Sequence, residues 1–135
     1  MRIMVSYLNL RYNSLMKIQE SAEMYLETIL VLSQDLDHVR SIDISRKMDF
    51  SKPSVSRAMK NLKNEGYIDI SEEGYITLRN KGKQIAEKIY ERHKVLTDYF
   101  IGIDVSPETA EEDACRIEHV ISDETFEKIR QALKK

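Results

Sequence analysis

The segment Asp113-Ala114-Cys115-Arg116-Ile117-Glu118-His119 sets a thiol, a carboxylate and an imidazole at positions i, i+3 and i+4. On an α-helix those three side chains share one face. Together they are half of a site for a divalent transition metal, and the sulfur biases it away from magnesium and calcium. The plainer alternative makes Cys115 a small packed residue, with Glu118 and His119 on a solvated face. A second group with chemical potential lies near the middle of the chain. Ser51, Lys52, Pro53, Ser54, Ser56, Arg57 and Lys60 are hydroxyl-bearing, basic or turn-forming residues within ten positions, and such a surface suits a polyanion.

The elements that must position these groups follow from pattern. Ser21 opens a helical spacing of Met24, Tyr25, Ile29, Leu30 and Leu32, predicting a first helix from about Ser21 to Gln34. A short helix begins at Ser41 and ends near Met48. Ser51 then caps a second, with Pro53 in its first turn, Val55, Met59 and Leu62 as its apolar stripe and Gly66 as its stop. After Gly66 the period changes: Tyr67–Ile70 and Tyr75–Leu78 are β-prone tetrads joined through Gly74. A helix-turn-helix followed by a two-stranded wing is a winged helix. On its reading helix Arg57 is the candidate base reader, since a guanidinium pairs bidentately with guanine, while Ser51, Pro53 and Ser54 meet phosphate or a thymine methyl. The acidic wing tip, Glu72-Glu73, argues against deep wing insertion into a groove. A long helix follows from about Asn80 to Phe100. Ser106 and Pro107 start the helix that carries the cysteine motif, and a last helix begins near Ser122 or Asp123.

The expected fold class is mainly α with a small β-hairpin wing: a winged helix-turn-helix followed by a helical dimerisation domain. The expected divisions are an N-terminal extension at 1–16, a DNA-binding domain at 17–79 and a metal-binding and dimerisation domain at 80–135. Net charge is only −2 over 135 residues, but it is segregated. Arg40–Glu65 holds seven Lys/Arg against three Asp/Glu, and Asp98 to the end holds ten acids against five bases. A basic middle and an acidic end suit a chain that meets a polyanion with one part and a cation with the other. No apolar run approaches a membrane span and no secretory signal is evident, so a cytoplasmic location with no membrane partner is expected. The lone cysteine excludes an intrachain disulfide.

With these segments in view, the chain resembles the diphtheria toxin repressor family of iron- and manganese-dependent transcriptional repressors. The matching segments are SAEMYLETIL, DFSKPSVSRAMKNLKNEGYI, ITLRNKGKQIA, ERHKVLTDYF and DACRIEHVISDE, in order from about residue 17 to 133. The resemblance implies a homodimer that binds double-stranded operator DNA when metal is held between the first helix and the dimerisation domain. Carried over by position, the primary metal ligands are Met24, Cys115, Glu118 and His119. Met24 and Cys115 resemble the iron-responsive branch, whereas Glu27 falls where the manganese branch has a ligand. His93 and Glu111 form an ancillary site with Glu27. There the chain departs from the iron type, with Thr97 in place of a glutamate and Glu111 in place of a histidine. His38 has no family counterpart and reads as a loop histidine. The chain also ends near the helix after the motif, without the SH3-like domain that iron-type relatives usually carry, and residues 1–15 extend beyond the usual start.

The implied cofactor is Fe(II) or Mn(II), with Co, Ni and Zn able to substitute in vitro. Soft sulfur donors favour Fe(II). No small-molecule substrate is expected, and not an enzyme: the motif lacks the second histidine of helical zinc proteases, and no nucleophile elbow or phosphate loop appears. The competing regulator is a winged-helix redox sensor acting through Cys115, which would answer peroxide without metal. A purely structural or interaction protein would respond to neither.

Overall fold

The computed structural model describes the backbone of residues 2–134 and the side chains of residues 19–134. The elements run α1 (Arg2–Asp35), α2 (Ser41–Met48), α3 (Lys52–Asn64), β1 (Ile68–Ile70), β2 (Ile76–Leu78), α4 (Asn80–Gly102), α5 (Pro107–Ile117) and α6 (Asp123–Lys134). The first helix therefore starts well before Ser21, where the sequence reading began it. Nothing between Arg2 and Ser21 is Gly or Pro, and a serine that can cap does not have to. Residues 2–16 of the expected extension at 1–16 continue α1 without a break, and the side chains of the extension lie outside the described residues.

The ends of the reading-head helices follow local chemistry. Asp49 closes α2 in the left-handed conformation with φ 55°, and the Ser54 amide donates to Ser51 Oγ at 3.3 Å to cap α3. Gly66, at φ +83°, turns the chain from α3 into the wing. β1 and β2 pair antiparallel, with Ile68 opposite Leu78 and Ile70 opposite Ile76. The connection from α1 to α2 adds an edge through the Ile76 amide, which donates to the Val39 carbonyl at 2.7 Å.

Leu26 and Ile29 of α1, Ile44 of α2, Val55, Met59 and Leu62 of α3, and Ile68 and Ile76 of the wing make one apolar core. α4 enters against this core at Gly82, where a Cβ would stand 2.2 Å from the Tyr67 carbonyl oxygen, so only glycine lets the two backbones meet. α4 then runs along α1, and α5 and α6 pack on its far half. A second, smaller core forms there from Leu96, Ala114 and Phe126. Between the two cores lies a seam of buried polar groups. Among the described residues no helix is long and apolar enough to cross a membrane.

Candidate metal centre

Three elements build the seam. α1 places Glu23 and Glu27 one turn apart on a single face, α4 brings Arg92 and His93, and the end of α5 brings Glu118 and His119. α5 stops at Ile117, so the motif does not lie wholly on one helix as expected. Glu118 is its C-cap and keeps helical dihedrals, φ −59° and ψ −28°, while His119 sits in the following turn. Arg92, only 5% exposed, holds that turn in place. Its Nη1 donates to the carbonyls of Glu118 at 3.1 Å and Ile121 at 2.8 Å, and its Nη2 donates to the Asp123 carboxylate. The first satisfies a carbonyl that the end of α5 leaves free, and the others tie down the connection to α6.

Glu27, Glu118 and His119 each present a ligand atom, and all three atoms lie within 4.8 Å of one another. Glu118 is fully buried; its Oε2 accepts from His93 Nδ1–H at 2.8 Å. Its Oε1 lies 3.2 Å from His119 Nε2, out of line for a hydrogen bond, and neither atom has any other partner. Leaving such atoms unsatisfied costs about 1–3 kcal/mol each. A cation bound by both removes that cost, so this donor set fits a metal ion. On the other edge of the imidazole, His119 Nδ1–H donates to Glu23 Oε2 at 3.4 Å.

The protonation states are those of a centre that holds protons until a cation takes their place. Burial, and then the neighbouring Glu118 carboxylate, push Glu27 up to about 8, so it is neutral at pH 7. Burial opposes charge on His119, but the carboxylates of Glu118 and Glu23 outweigh it and raise the imidazole to about 9. Burial likewise works against Glu118, yet the adjacent His119 imidazole and the hydrogen bond from His93 hold it below the usual carboxylate range. His93 is raised by its bond to Glu118, and Cys115 is raised by burial and then by the charge of Glu118.

The structure regroups the expected ligands. Glu27, assigned by sequence to the ancillary set, stands with Glu118 and His119. His93 bridges from Glu118 toward Glu111, whose Oε1 is 3.8 Å from His93 Nε2. Cys115 is exposed and does not join the central set, and Met24 is half-buried on α1. Sequence reasoning missed Glu23 and Arg92. The available signal for Glu23 was its i,i+4 spacing from Glu27, since like charges so placed repel unless something engages them. Ser51, Lys52, Pro53, Ser54, Ser56, Arg57 and Lys60 are all exposed on the first three turns of α3 or at its cap. Among the described residues no carboxylate pairs with Lys52, Arg57 or Lys60, so those cations remain available to a polyanion. His38 stacks on Tyr75, at the end of the turn that joins β1 and β2, with ring centroids 4.0 Å apart.

A winged helix joined to a helical domain through a buried carboxylate–imidazole cluster defines a class: metal-dependent DNA-binding regulators. Residues 17–76 match the iron dependent repressor, N-terminal DNA binding domain, and residues 79–135 match the iron dependent repressor, metal binding and dimerisation domain. The chain belongs to this family of metal-dependent transcriptional repressors. It is 30% identical to the transcriptional regulator MntR of Escherichia coli O6:H1 over 83% of this chain and 72% of the relative. It is 28% identical to the diphtheria toxin repressor of Corynebacterium diphtheriae over 85% of this chain and 51% of the relative. The structure of the manganese regulator SloR superimposes with a TM-score of 0.74 at 26% identity, covering 84% of this chain and 53% of that one. The chain thus spans about half the length of the diphtheria toxin repressors and manganese regulators it matches.

Proposed function

We propose that this chain is a homodimeric repressor that binds double-stranded operator DNA when a divalent metal is present and so controls metal-ion homeostasis. The observation that carries the reading is the composition of the seam: Glu27 belongs to the reading head, whereas Glu118 and His119 belong to the C-terminal helices. In this reading residues 17–79 are the reading head and residues 80–135 hold the ligands and the dimer contact, where Ile101, Ile103 and Val120 are exposed apolar side chains. The centre would be held by Glu27, Glu118 and His119, with His93 beside them and Met24, Cys115 and Glu111 as outlying donors.

A bound divalent cation supplies the positive charge that lets Glu27, Glu118 and His119 share one site without their protons. The chain's residues do the rest. Glu27, once ionised, is held at the turn that Arg92 fixes, and this restrains α1 against α4 and the end of α5. Restraining α1 fixes the reading heads relative to the dimer scaffold, and two heads must meet successive major grooves about one helical turn apart. Moving such an equilibrium from mostly open to mostly closed requires roughly 5 kcal/mol of differential affinity. At the DNA, Lys52, Lys60 and the Ser51, Ser54 and Ser56 hydroxyls would meet phosphate while Arg57 reads a base.

Fe(II) is the reading that Met24 and Cys115 favour. Mn(II) is the second reading, favoured by the central set, which offers only oxygen and nitrogen. The test is anaerobic titration of the metal-free protein with each ion, following binding to a labelled fragment of its own upstream DNA. Activation at lower Fe(II) than Mn(II), with the preference lost in Cys115→Ser, is the expected result. Activation by Mn(II) at equal or lower concentration, unchanged in Cys115→Ser, moves the chain to the manganese reading. No response to either ion, with a response to peroxide, would replace both by redox sensing.

A further inference from the structure

We infer that Glu23 is the positioning residue of this centre: its carboxylate holds His119 in the tautomer that presents Nε2 to Glu27 and Glu118. The inference rests on the proposed metal centre. Glu23 and His119 are 96 positions apart, yet their side chains are only 11% and 3% exposed and meet at 3.4 Å. Among the described residues no Lys or Arg pairs with Glu23, so its buried carboxylate has this imidazole as its partner.

A carboxylate ion can only accept, and a neutral imidazole has one N–H. Once a cation has displaced the second proton, the one that remains is therefore fixed on Nδ1, and Nε2 offers its lone pair. Nε2 is the buried atom without a hydrogen-bond partner, 3.2 Å from the equally unpartnered Oε1 of Glu118. Glu23 does not belong to the set of atoms within 4.8 Å of one another and addresses the opposite edge of the ring, so it is not a ligand. Carboxylates in this outer position orient metal-binding imidazoles and raise their basicity. The arrangement also couples the two halves of the chain. Glu23 and Glu27 stand one turn apart on α1, so a single helix of the reading head grips His119 from its outer nitrogen while placing a ligand at its inner one. A displacement of α1 removes both.

The test uses the full chain, Mn(II) and Zn(II) binding by calorimetry, and the ring-nitrogen NMR spectrum of His119 in the Zn(II)-loaded protein. Glu23→Ala is expected to weaken both ions about ten- to a hundredfold and to mix the two ligating nitrogens. Glu23→Gln, whose amide oxygen still accepts from Nδ1–H, should recover most of the affinity and the single tautomer. If circular dichroism shows that Glu23→Ala does not fold, Glu23→Asp replaces it: the same charge on a shorter reach should also mix the tautomers. Wild-type affinity and an unchanged ring spectrum in the folded Ala or Asp variant, with binding lost in His119→Ala, would overturn the role of Glu23 and leave the metal centre standing. Wild-type protein that binds neither ion would remove both.

Discussion

The reading head and the polar seam are assembled by opposite means. In the head, α1, α2, α3 and the wing bury aliphatic side chains such as Leu26, Ile29, Ile44, Val55 and Ile68, while the residues able to meet DNA remain outside. In the seam the functional groups are themselves the filling: Glu118, His119, Glu23 and Arg92 occupy positions where a core would be apolar. Burial of hydrocarbon is favourable whatever is bound, whereas burial of paired charges depends on protons and partners. The head is therefore a fixed tool, and the seam is the part whose state can change.

The largest break in that comparison is at the joint between the two. Gly82→Ala would drive a Cβ into the Tyr67 carbonyl, a backbone atom that cannot swing aside. A loss of about 3 kcal/mol in urea unfolding is expected, at the upper end for overpacking. Next is the seam itself. Glu118→Gln removes the charge that holds both histidines and one of the two orphaned ligand atoms. Metal affinity should fall about a hundredfold or more, with helical content unchanged, because the apolar cores do not depend on it. Calorimetry and circular dichroism on the same sample separate the two effects. Third, Arg57→Ala should cost about 2 kcal/mol on operator DNA and little on a scrambled duplex, measured by fluorescence anisotropy. That change leaves metal binding untouched if tool and switch are separate.

What the sequence made legible divides along the same line. α2, α3, the hairpin and α6 end within a residue or two of where capping residues, Gly66, Gly74 and apolar spacing set them, because those signals are local. Glu118 and His119 were legible as a pair by spacing and family resemblance. Glu27, expected in the ancillary set, stands beside them in the structure. Glu27 lies 91 positions before Glu118 (118 minus 27), and no periodicity says which carboxylate of α1 faces α5. The partners of Glu23 and Arg92 were hidden for the same reason: one serves an imidazole across the fold, the other a helix end. Cys115, the residue type with the strongest metal signal in the chain, lies within α5 and is exposed, outside the central set.

Acidity sharpens the comparison further. Glu27 at about 8 and His119 at about 9 both lie above their ordinary values of 4.5 and 6.5, so the folded metal-free protein binds these protons more tightly than the unfolded chain does. Their contribution to stability is fully present at low pH and fades as pH rises, that of Glu27 through about 8 and that of His119 through about 9. A cation must displace the same protons. Mn(II) affinity should therefore climb about fiftyfold between about pH 7 and 8, and the metal-induced gain in Tm should be larger at pH 8 than at pH 6. A flat profile would mean that Glu27 and His119 are not where the ion binds.

The smallest expected effect lies at the edge of the head. Lys60 is exposed one turn beyond Arg57, on α3, and among the described residues no carboxylate competes for it. If it meets only phosphate, its loss costs the same on every sequence and releases one counterion fewer. Lys60→Ala should thus weaken operator and scrambled DNA alike by a few-fold, and should reduce the salt slope of log K by about 0.9. Arg57→Ala should instead change the ratio between the two duplexes. Titrations at several salt concentrations resolve the pair. A Lys60 variant that altered the ratio would make Lys60 a base reader and shift the reading surface one turn along α3. A variant with no effect on either duplex would confine the DNA contact to the first turns of the helix, between Ser51 and Arg57.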